Sequence, residues 1–132
     1  MLTATIAALG CGRIREVKGC RALARIVNPV LDDISVRISK DKSPPQYRYA
    51  STRYAKLAAD LKQFDVGIPR TEKAVDELGT AMKDAGTQAK NLADALEKRD
   101  AMSAASARRE LGQLARVQKS IAARIDNDCV GD

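Results

Sequence analysis

The chain has 132 residues, 45% of them apolar and 30% charged, with 23 Lys and Arg against 17 Asp and Glu and a net charge of +6. That length suits a single core, and with aromatics at 3% and no tryptophan the core must be thin and closely approached, as in narrow helical packing. There is no histidine, which excludes the usual general base, Ser-His and Cys-His pairs and the Glu-x-x-His motif of di-iron bundles; no run of 18 apolar residues makes a membrane-spanning helix.

Residues 1–10 carry no charge, Cys11 follows Gly10, and the chain then turns basic, with Arg13, Arg15, Lys18, Arg21 and Arg25 against Glu16 alone. Cys20, Leu23, Val27, Val30, Leu31, Ile34 and Ile38 recur in steps of three and four, which predicts a first helix over about 16–39. Pro29 falls inside it without breaking the apolar phase and predicts a kink rather than a stop.

"SKDKSPPQ" interrupts the pattern, and Ser43 followed by Gln46 has the spacing of a capping box. A second helix begins there, with Tyr47, Ala50, Tyr54, Leu57, Leu61 and Phe64 on a seven-residue repeat, and ends near Asp65. In "DVGIPRTE", Gly67 is free to take positive φ, Pro69 suits the first helical position, and Glu72 favours the positive first turn.

The third helix repeats Val75, Leu78, Met82, Ala85, Ala89, Leu92 and Leu96 and runs to about 98. Beside that face lies a stripe of Gly79, Gly86 and Ala93; helix-interior glycines are costly, so the stripe predicts a neighbouring backbone at close range. The heptad fails at "EKRDAMSAAS", because continuing it would bury Ser103 and Glu110. A turn near 99–103 and a new phase through Ala107, Leu111, Leu114, Ile121 and Ile125 give a fourth helix; one long helix with a phase shift is the alternative.

Four amphipathic helices with short links predict an all-α, up-and-down antiparallel four-helix bundle, or three helices if the last two are continuous. An even number brings Cys20 and Cys129 to the same end, whereas three helices would separate them. A bridge between them would close a loop of more than one hundred residues, worth about 4 to 5 kcal/mol in the chain-entropy model. Such a bond persists in an oxidising compartment, which in a bacterium means the periplasm or beyond.

The context of the third cysteine, "AALGC", resembles the lipobox of bacterial lipoproteins: Gly10 and Cys11 match it, and Ala8 and Leu9 are a weaker version of the two positions before. The resemblance implies cleavage before Cys11 and lipidation of that residue, leaving residues 11–132 as one bundle domain. Residues 1–10 then form the end of an export signal, and since they hold no Lys or Arg, its start lies upstream of Met1. Gly12 after the cysteine, rather than Asp, implies outer-membrane sorting.

More broadly, "GCRALARIVNPVLDDI", the Pro-then-Tyr segment, the long heptad helix and the closing "ARIDNDC" resemble small predicted lipoproteins of myxobacterial type. That likeness implies location and fold, with no activity attached. In this setting Arg13, Arg15, Lys18, Arg21 and Arg25 form a membrane-proximal collar beside anionic head groups.

Little else points to chemistry. Three scattered cysteines with no paired spacing give no zinc site. Asp32-Asp33 and Asp76-Glu77 are neighbours that point about 100° apart on a helix and read as solvated charge. "DNDCVGD" opens like a calcium loop, with Asp126, Asp128 and Gly131, but lacks the distal glutamate, so neither metal nor cofactor is expected. "YRYASTRY" interleaves Tyr47, Tyr49 and Tyr54 with Arg48 and Arg53, a composition able to stack bases, but its register puts Tyr47 and Tyr54 in the core and only Tyr49 outward.

The sequence therefore predicts a non-enzymatic, lipid-anchored periplasmic or cell-envelope bundle acting as an interaction or structural module for another envelope protein. The alternative is a cytoplasmic basic helical protein that binds nucleic acid or a partner helix through Tyr47 to Lys62.

Overall fold

A computed structural model describes residues 13–14, 20–65 and 67–130; the export-signal reading of 1–10, Cys11, Arg15 and Lys18 lies outside them. Within the described residues the fold is four helices and no strand: α1 (Arg21–Lys40), α2 (Pro44–Gln63), α3 (Pro69–Glu97) and α4 (Ala101–Val130). They form an up-and-down bundle in which α3 packs along both α2 and α4.

The apolar periods become the buried faces. Leu23, Val27, Leu31 and Ile34 of α1, Leu57 and Leu61 of α2, and Val75, Leu78 and Met82 of α3 are all 5% exposed or less. In α4, Ile121 and Ile125 are buried, while Leu111 and Leu114 are half-buried. The helix through Pro29 is continuous, and its described start is Arg21, the expected residues 16–19 lying outside the described chain.

The links follow local chemistry. Pro44 opens α2 and Pro69 opens α3, where the missing N–H would have had no helical acceptor, and Gly67 takes φ 75° in the turn between those helices. Ser43 is the N-cap of α2, but the capping box is not made. Pro45 has no N–H to offer, the Gln46 amide donates to the Ser43 carbonyl at 3.1 Å, and the Ser43 hydroxyl instead donates to Asp41 at 3.0 Å.

The last turn is tighter and earlier than the expected 99–103. Asp100 N–H donates to the Ala95 carbonyl at 2.9 Å and Arg99 N–H to Leu96 at 3.2 Å, the paired bonds of a Schellman end with Arg99 left-handed at φ 55°. Asp100 then caps α4, its carboxylate accepting from the Ser103 amide at 3.1 Å and the Ser103 hydroxyl at 2.7 Å. The single-long-helix alternative is overturned by this reversal.

The glycine stripe divides. A Cβ built on Gly86 would stand 3.1 Å from the Ser51 carbonyl oxygen, so here the α2 backbone is close, as expected. On Gly79 the nearest atoms would be 3.6 Å and 3.8 Å away, ordinary contact that an alanine could make.

Candidate functional site

With four helices, the start of α1 and the end of α4 share one end. Cys20 and Cys129 are both buried there, with Cα atoms 5.8 Å apart across a sequence separation of 109, which is disulfide distance. Leu23, Val75 and Ile125 belong to the same core cluster. The first turn of α3 is tied to this end as well: Arg70 donates to the Asp128 carbonyl at 3.0 Å, and the Thr71 hydroxyl meets the Asp128 carboxylate at 3.3 Å.

Just outside α1, Ile14 is clasped by Asn28. The Ile14 amide donates to Asn28 Oδ1 and Asn28 Nδ2 donates to the Ile14 carbonyl, each at 2.8 Å, so the buried amide side chain uses both of its groups. Ile14 joins the core cluster that contains Cys20, Ile121 and Ile125, and Arg13 pairs with Asp32. Sequence reasoning missed this clasp. Its one signal is an asparagine directly before Pro29, on the flank of an otherwise apolar face. Of the basic collar, Arg13 is thus engaged with α1, while Arg21 and Arg25 are exposed on its first turns.

The tyrosine and arginine face is occupied by the fold. Tyr47 is buried and Tyr54 mostly so, as the register predicts. Tyr49, expected outward, lies half-buried in the α1–α2 seam: its hydroxyl donates to Asp33 at 2.5 Å and the Arg37 guanidinium stacks 3.9 Å from its ring centre. The helical repeat placed Tyr49 correctly off the core, but a flank position between two helices is a seam, not open surface.

Three cations of that face have acidic partners. Arg48 pairs with Asp94 at 2.8 Å and with Glu97, Arg53 with Asp33 at 3.3 Å, and Lys56 with Asp60 at 3.3 Å. The Tyr49 hydroxyl first, then Arg37 and Arg53, hold the Asp33 carboxyl below its ordinary value of 3.8 against the opposing effect of burial. The Arg48 hydrogen bond does the same for Asp94.

The neighbouring acids also diverge as expected. Asp32 turns to Arg13 and Asp33 to the α2 seam, while Glu77 reaches Arg124 of α4 at 2.9 Å. Among the described residues, no group of three or more acidic or cysteine side chains could hold a metal ion, and no helix is long and apolar enough to cross a membrane.

One concave feature was not foreseen. At the end away from the cysteines, α1 and α4 leave between them a cleft of about 420 Å³, floored by Tyr47, Ala50 and Tyr54 of α2 and Ala89 and Leu92 of α3. Ile34, Ser35, Ile38 and Ser39 form one wall and Leu111 the other, with Lys42 and Arg108 completing the lining. Its origin lies in the alanines: Ala104 and Ala107 of α4 cluster with Leu92, Ala93 and Ala95, and such small side chains let α4 lie close to α3 rather than fill the space beside α1.

Asn28 and Ser35 are seven residues apart on one flank of α1. That flank receives Ile14 near the cysteine end and lines the open cleft at the other. Burial raises the pKa of Tyr54, whose hydroxyl has no hydrogen-bond partner among the described residues. No family model, curated protein or solved structure matches the chain.

Proposed function

We propose that this chain is a non-enzymatic helical bundle of the cell envelope, periplasmic and lipid-anchored through Cys11 at the outer membrane, serving as an interaction or structural module for another envelope protein. The observation that carries the reading is the buried pair Cys20 and Cys129, 5.8 Å apart at their Cα atoms. A bridge at that position closes nearly the whole domain, and its stabilisation is available only where thiols are oxidised. The "AALGC" context supplies the attachment point, and the exposed Arg21 and Arg25 face anionic head groups beside it.

The cytoplasmic, nucleic-acid-binding reading has less support, because Arg48, Arg53 and Lys56 are engaged by carboxylates of the same chain. The test is made in the native host. Palmitate labelling that disappears on Cys11→Ser, together with a reduction-dependent gel shift that disappears on Cys20→Ser, is the expected result. Unlabelled protein with all thiols free overturns the proposal, as does salt-sensitive retention on DNA or RNA lost on replacing Arg48, Arg53 and Lys56.

A further inference from the structure

The geometry points to the α1–α4 cleft as a binding site for the acyl chain of a free medium-chain carboxylate, with its head group at Lys42 and Arg108. At about 420 Å³ the cleft has the size of a small-molecule site, and its depth is apolar, formed by side chains such as Ile34, Ile38 and Leu92. The helices around it have already used their interior backbone hydrogen-bonding groups on themselves. An extended peptide lying there would bury N–H and C=O groups with few partners. A hydrocarbon chain carries no such groups.

Charge selects the head group. Across two other helix seams a cation meets a carboxylate, Arg48 of α2 with Asp94 of α3 and Arg124 of α4 with Glu77 of α3. Lys42 and Arg108 line the cleft from opposite sides and have no ion-pair partner among the described residues. Two cations without a carboxylate over an apolar slot complement an amphipathic anion.

Length follows from the α1 wall. Ile34 to the end of α1 at Lys40 covers about 9 Å at the helical rise, and the two residues beyond the helix to Lys42 add roughly 3 to 6 Å, together about ten methylene groups. The tail would lie toward Tyr54 and the carboxylate toward the start of α2, where the Tyr47 hydroxyl, without a partner among the described residues, is a further donor.

The experiment is calorimetric titration of the full chain with three probes of one length: decanoate, decanol and decylammonium. Decanoate is expected to bind at about micromolar to tens of micromolar Kd, decanol more weakly and decylammonium weakest. The double variant Lys42→Gln/Arg108→Gln changes only exposed residues and is expected to weaken decanoate about five- to tenfold while leaving decanol unchanged. Ser35→Phe, which places a ring at the wall, is expected to abolish binding of both. Equal affinity for decanoate and decylammonium overturns the proposal, and so does a decanoate affinity that the double variant leaves untouched. A full chain that takes up none of the probes also overturns it, the result expected if a second copy or another segment of the chain already fills the cleft.

Discussion

Gly86 and Ser51 hold α3 against α2 at a close approach of the two backbones. The Ser51 hydroxyl donates to the Gly86 carbonyl at 2.7 Å, and a Cβ on Gly86 would stand 3.1 Å from the Ser51 carbonyl oxygen and 3.4 Å from the Tyr54 Cβ. Helix propensity alone favours alanine over glycine by about 1 kcal/mol, whereas pushing two packed backbones apart costs about 1 to 3 kcal/mol. Gly86→Ala is therefore expected to lower stability by about 1 kcal/mol. Gly79→Ala, seven residues earlier with room at 3.6 Å, is expected to raise it by about 0.5 to 1 kcal/mol. Urea melts of the two variants should move their midpoints in opposite directions.

Arg99 sits at φ 55°, where a side chain is strained and glycine is not. Arg99→Gly removes that strain but adds freedom to the unfolded chain, so the net gain is expected to be about 0.5 to 1 kcal/mol. Asp100→Ala acts the other way, removing the cap of α4 at a cost of about 1 kcal/mol. A thermal melt of each variant checks the pair.

Asn28 bonds both backbone groups of Ile14, and no other described residue does. In Asn28→Ala those groups lose their partners in a buried place, a penalty of about 1 to 3 kcal/mol that is relieved by releasing the Arg13–Ile14 segment to water. Hydrogen exchange should show the Ile14 amide losing protection while amides in the middle of α3 keep most of theirs. Uniform loss across the helices would contradict this local reading.

Acid should loosen two seams. Asp33, held low by Tyr49, Arg37 and Arg53, and Asp94, held low by Arg48, have folded pKa values beneath their unfolded ones. Their contributions are present above the ordinary carboxyl value of 3.8 and fade as the pH falls below it through the folded values. Unfolding midpoints measured from pH 6 down to pH 2 should fall mainly below about pH 4. Asp33→Asn is expected to be less stable at pH 6 and to show a shallower fall. An equally steep fall in Asp33→Asn would exclude Asp33 as a source of it.

Much of the bundle was legible because its helices bury simple stripes. The seven-residue repeats of α2 and α3 named the core positions, and counting helices placed Cys20 beside Cys129. What escaped was whatever depends on two elements at once. Arg99 looks like any other surface cation until the chain reverses at it, since a left-handed arginine leaves no mark of the kind that glycine leaves. Tyr49 reads as outward because one helical wheel cannot show the Asp33 and Arg37 of another helix. The cleft results from Ala104 and Ala107 hugging α3, a packing choice made by side chains far smaller than the space that they open.

The end-to-end closure at Cys20 and Cys129 has a mechanical meaning. If the chain is tethered ahead of Cys20 and pulled from beyond Cys129, a covalent bridge between the two passes the tension directly from one to the other. The helices between them hang outside the line of force and stay unloaded. The first element to yield is then the Ile14–Asn28 clasp, peeled away while the bundle keeps its shape.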